Sequence, residues 1–162
     1  MRRLTISIKS CVEILTLLVA MAWADERLDD AEKEGVRGAV KVLNLNKELR
    51  ERLDAILEKP MPIDSVLYDV FTPRDREFAY VAAAWMAGAD EHLDEREEAM
   101  LDKIAGLLGI ETVRKAELEK VARDLARPED GSRKWSDELV DLFKTIVTRV
   151  SAPGDEVDVT FE

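Results

Sequence analysis

The chain has 162 residues, 46% of them hydrophobic and 36% charged, with a formal net charge of −11 at pH 7 and a pI near 4.7. That length suits one domain able to bury about two-thirds of the surface its unfolded chain exposes. So acidic a chain repels phosphate backbones, which argues against nucleic acid and for cations or basic surfaces, and its single cysteine, Cys11, excludes an internal disulfide and accords with a cytoplasmic setting.

The N-terminus opens with the basic "MRRLTISIK", followed by the mostly apolar "CVEILTLLVAMAWA". A signal peptide would have this outline, with "AWA" as its cleavage site. Glu13 interrupts the apolar run, however, and the small-residue motif recurs as "AGA" at Ala87 to Ala89, in mid-chain. The segment therefore reads as a core helix, with Val12, Leu15, Leu18, Val19 and Ala22 on one face. It is well short of the roughly 20 apolar residues of a membrane span. Val36, Val40 and Leu43 mark a second helix, and Glu48 to Glu58 carries Leu49, Leu53, Ile56 and Leu57 as a third.

"KPMPID" breaks the pattern with two prolines, and a short segment, "SVLYDVF", follows. Thr72 as N-cap and Pro73 at the first helical position then announce "REFAYVAAAWMAGA", apolar nearly all round and hence central. Leu101, Ile104, Ala105 and Leu108 line the next helix, Val113 to Ala126 forms another, and "DELVDLFKTIVTRV" is the last. The expected fold is all-α, a compact bundle of seven to eight helices over residues 1–150, with 151–162 as a short, acidic, mobile tail. Nothing alternates with period two over a useful length.

One phrase is written twice: "ADERLDDAE" from Ala24 to Glu32 and "ADEHLDERE" from Ala89 to Glu97, 65 residues apart. The register continues as pattern, pairing Val36 with Leu101, Leu43 with Leu108 and Leu45 with Ile110. Asn44 and Gly109 fall where left-handed C-caps are expected. Each copy thus reads as a helix, an acidic turn and a second helix, and the two hairpins pack as a pseudo-symmetric bundle. Asp29 with Glu32, and Asp94 with Glu97, have capping-box spacing. Asp30, Glu34, Glu95 and Glu98 suit a helix start, where the dipole favours negative charge.

Capping leaves Asp25, Glu26, Asp90 and Glu91 unexplained, because they follow a helix C-terminus, where the dipole disfavours anions. Residues 25–34 carry a charge of −4 and residues 90–98 carry −5, together −9 of the chain's −11. Such concentration asks for something positive. The candidate ligands for a divalent cation, calcium-like, are Asp25, Asp29, Glu32, Asp90, Asp94 and Glu97, with Glu26, Glu91 and His92 beside them. An EF-hand is rejected: its first ligand positions would hold Met21 and Trp23, and its glycine position holds Glu26. His92, the lone histidine, cannot build a di-iron or triad site, and Cys11 reads as a packed apolar residue. Trp23, Trp85 and Trp135 read as core or interface anchors.

Two copies of A-x-A-D-[GE]-x-[LIV]-[DS]-x-x-E, each leading into an amphipathic helix, resemble the tellurite-resistance TerB family, over roughly Val12 to Ile110. Where that family usually has Gly after the Asp, this chain has Glu26 and Glu91. The resemblance implies a small helical bundle with an acidic, calcium-linked surface, a part in stress and tellurite resistance, and partners such as TerC-type membrane proteins. The leading expectation is a non-enzymatic cytoplasmic module that binds a divalent cation or a basic partner protein. The alternative is a purely structural scaffold with no metal site. A metal-dependent hydrolase is a third reading, poorly served by one histidine.

Overall fold

The computed structural model describes residues 2–24, 30–43, 45–87, 95–125, 139–151 and 157–161. Among them are seven α-helices: α1 (Ile8–Ala24), α2 (Asp30–Leu43), α3 (Lys47–Glu58), α4 (Pro73–Met86), α5 (Glu95–Leu108), α6 (Thr112–Asp124) and α7 (Leu139–Ser151). The all-α expectation holds, with one addition. Arg2–Ile6 and Val157–Phe161 are strands, β1 and β2, paired in parallel from Arg2↔Val157 to Ile6↔Phe161. Part of the expected mobile tail is thus a paired strand. Leu4 and Ile6 point into the core while Arg3 and Thr5 are exposed, a period-two alternation only five residues long.

Sequence dictates which helices are central. A helix apolar on every face can only be buried on every face. In α1 each residue from Cys11 to Ala22 is at most 3% exposed, and in α4 each from Phe78 to Trp85 is at most 4% exposed. α4 packs against α1, α5, α6 and α7, so it is the hub. Two polar residues within α1 are satisfied locally or across the core. Thr16 Oγ1 donates to Val12 O at 2.8 Å, and Glu13 accepts from Arg52 and from the Leu67 N–H. The short "SVLYDVF" segment belongs to two 3-10 turns, Ile63–Ser65 and Tyr68–Val70, which lie on α1.

Helix ends follow the local code. Thr72 Oγ1 accepts from the Asp75 N–H at 3.1 Å with Pro73 at the start of α4, as expected. Ser7 Oγ accepts from the Ser10 N–H in the same way at the start of α1. Asn46 caps α3 through the Leu49 N–H. Gly109 ends α5 at φ 70°, with the Ile110 N–H on Ala105 O and its own N–H on Gly106 O. That is the double bond pattern of a left-handed C-cap. Asn44, the other expected C-cap, lies outside the described residues.

The starts of α1, α2 and α3 are residues 8, 30 and 47, and those of α4, α5 and α6 are 73, 95 and 112. Each pair differs by 65, the offset of the repeated phrase.

Candidate functional site

The last turn of α1 carries Trp23, a half-buried indole held from two sides. Its Nε1 donates to Ile56 O in α3 at 2.7 Å, and Lys33 Nζ of α2 lies 5.6 Å from the ring centroid, within cation–π range. Beside it opens an apolar groove of about 520 Å³. Ala20 and Trp23 of α1 form one wall, residues 60–63 after α3 the second, and Ala99, Met100 and Lys103 of α5 the third. The two prolines of "KPMP" hold the second wall extended, so no helix continues from α3 to close it. Lys103 Nζ meets Asp64 Oδ1 at 2.9 Å, with both side chains more than half exposed.

This groove joins two places that the sequence keeps far apart. Trp23 directly precedes the first acidic phrase, and α5 is the helix on which the second phrase ends. Of the expected cation ligands, Asp25, Glu26, Asp29, Asp90, Glu91, His92 and Asp94 lie outside the described residues, and Trp135 does too. Glu32 and Glu97 fall in α2 and α5, whose backbone alone is described at those positions. Asp30 and Glu95 are the first residues of α2 and α5, and with Glu34 and Glu98 they are exposed, as the dipole argument expects. Among the described residues, no group of three or more His, Cys, Asp or Glu side chains is placed to hold a metal ion.

Sequence reading missed the buried polar chemistry. Glu13, noted only as an interruption, accepts a two-pronged bond from Arg52, with Nε and Nη2 each at 2.7 Å, plus the Leu67 N–H at 2.8 Å. A lone acid in an apolar run is the signal for such a partner. Ser10 Oγ donates to Asp75 Oδ2 at 2.8 Å, and Arg74 stands 3.7 Å from Asp75 Oδ1 while donating to Thr5 O. Tyr80 donates to Glu119, which also accepts from Lys115. Burial and then the Glu119 hydrogen bond hold the Tyr80 phenol protonated far above its ordinary range. Cys11 is fully buried, and desolvation followed by the nearby Asp75 charge pushes its thiol pKa upward. It packs as a small apolar residue and is no nucleophile at neutral pH.

No helix among the described residues is long and apolar enough to cross a membrane. A family model named DUF533, described as a protein of unknown function, matches residues 8–122, from the first residue of α1 almost to the end of α6. No curated protein and no solved structure matches the chain.

Proposed function

We propose that this chain, which belongs to the DUF533 family of proteins of unknown function, is a non-enzymatic, TerB-like binding module whose duplicated acidic phrases take a divalent cation or a basic partner. One observation carries the reading. The end of α1 and the first turns of α5 line one groove, so the first phrase is attached in sequence to the same end of the molecule as the second. Carboxylates brought within a few ångströms repel by about 1 kcal/mol per pair in water, and more near protein. A calcium-like ion there relieves that repulsion as well as gaining oxygen ligands. The buried, protonated Cys11 and the single histidine support a binding rather than a catalytic role. A TerC-type membrane protein, met from the cytoplasm, is the proposed class of partner, and a stress response of the tellurite-resistance kind the proposed setting.

Calcium titration tests the reading. Calcium should raise the melting temperature, and Asp25→Asn together with Asp90→Asn should abolish the rise. Without calcium the double variant should be no less stable, because it removes one charge from each of two crowded acidic stretches. Terbium substituted for calcium should luminesce on excitation of tryptophan, since Trp23 is two residues from Asp25. If millimolar calcium leaves both signals unchanged, the cation reading falls, and the acidic end is left to a basic partner or to a scaffold role.

A further inference from the structure

The 65-residue offset of the three helix pairs has a spatial counterpart. Ser10 and Asp75, themselves 65 apart, are hydrogen-bonded to each other at 2.8 Å. In a two-fold arrangement, a residue touches its own counterpart only near the axis. Their hydroxyl caps, Ser7 and Thr72, keep the same offset. A two-fold axis that accounts for both would pass between the first turns of α1 and α4 and exchange α1 with α4, α2 with α5, and α3 with α6, although among the described residues the packing of α4 on α5 has no α1–α2 equivalent of similar extent.

α7 has no counterpart in this scheme. It packs on α4, α2 and α6 through Phe143, Ile146 and Val147, each at most 2% exposed, and it lies outside the matched family region. The two-fold carries that seat onto α1, α5 and α3. The apolar groove is lined by α1, by α5 and by the chain leaving α3. On that axis it is the counterpart of the seat that α7 fills. The difference lies in the connecting segments. The chain leaving α6 goes on to a 13-residue helix, whereas the 14 residues between α3 and α4 form two 3-10 turns. Ile63, the first residue of those turns, is buried at the groove wall, and the seat beside it stays open.

We infer that this groove is a docking seat for an amphipathic α-helix of a partner protein, apolar on one stripe and basic on its polar face. The stripe is specified by the filled seat: Phe143, Ile146, Val147 and Val150 have the i, i+3, i+4, i+7 spacing of helix-in-groove recognition. The charge follows from the rim. Glu95 and Glu98 are exposed beside Ala99 and Met100, Lys103 is paired with Asp64, and residues 25–34 and 90–98, which follow α1 and enter α5 in the sequence, carry −9 of the net −11. The charge half of this inference rests on the acidic-end reading above; the apolar seat does not.

The test uses the full chain, labelled with nitrogen-15, and three capped peptides. The first repeats residues 139–151 with Asp141→Lys, the second repeats them with Lys144→Glu and Arg149→Glu, and the third scrambles the apolar stripe. The basic peptide should shift the Trp23 indole N–H resonance and bind with a Kd below about 1 mM. The acidic one should bind at least about tenfold more weakly, and the scrambled one not at all. Ala99→Arg, at an exposed residue that leaves the core intact, should weaken the basic peptide about tenfold or more. Shifts confined to α4 and α2, or equal binding to the Ala99→Arg chain, would overturn the seat. Equal binding of basic and acidic peptides would overturn the basic helix. Self-association of the chain that Ala99→Arg abolishes would make a second copy the occupant and overturn the partner. Calcium binding without peptide binding leaves the cation reading standing and sinks this one; the reverse result does the opposite.

Discussion

Glu13 shows how one residue's environment decides the cost of its charge. A carboxylate 2% exposed is unfavourable by several kcal/mol unless its lone pairs are filled. Three donors fill them here: two from Arg52 and the backbone N–H of Leu67. The pair also ties α1 to α3 and to the turns that wall the groove. Arg114 makes a similar fork on Glu77, tying α4 to α6, but its side chain is 40% exposed. Water already solvates that pair, so it contributes little. Arg52→Ala should therefore cost about 3 kcal/mol, by stranding a buried charge, and Arg114→Ala no more than about 1 kcal/mol. Glu13→Leu with Arg52→Met should recover most of the loss, since apolar side chains of similar volume need no partners. Urea denaturation of the three variants checks the order. The sequence marks Glu13 as anomalous; naming Arg52 requires knowing that α3 crosses α1.

At the scale of elements, most boundaries are legible because short-range chemistry sets them. Thr72 and Pro73 start α4 through a hydroxyl cap and a preset φ, and Gly109 ends α5 because φ 70° is costly for any residue with a Cβ. Two glycines, Gly106 within α5 and Gly109 just past its end, should accordingly respond in opposite directions. Gly106 is helical with no atom within 4 Å of an added Cβ, so Gly106→Ala should stabilise by about 0.5–1 kcal/mol. Gly109→Ala should destabilise by roughly 1–2 kcal/mol, and its Cβ would lie 3.3 Å from the Arg76 Nη1 that donates to Leu108 O. Thermal melts of the two single variants decide it. Two alanines moving stability the same way would contradict the assigned backbone. The 3-10 turns were not legible: "SVLYDVF" has helical spacing but only the length between two fixed helices, and α1 beneath it selects the shape.

The whole molecule closes on strands from both ends of the described chain. β1 carries Leu4 and Ile6 into the core, and β2 pairs with it through five residues, with Val159 and Phe161 packed against the core. Removal of residues 152–162 should cost about 2 kcal/mol, roughly 1 kcal/mol for each of these two part-buried side chains. Hydrogen exchange should then rise along Arg2–Ile6 while α4 stays protected. Exchange unchanged in β1 would mean that the strand pairing contributes nothing to that end of the fold.

What the sequence determined by itself was set by local and periodic physics. The all-α class, the central place of "REFAYVAAAWM", the Thr72 cap and the Gly109 terminus all follow from spacing and backbone chemistry within a few residues, and the 65-residue register needs only the sequence compared with itself. What the tertiary structure decided depends on contacts between residues distant in the chain. Arg52 reaches Glu13 across 39 positions, β2 finds β1 across the whole domain, and the groove exists only where α1, α5 and the turns after α3 meet. No local propensity encodes those meetings, because burial and charge pairing depend on which surfaces the fold brings together.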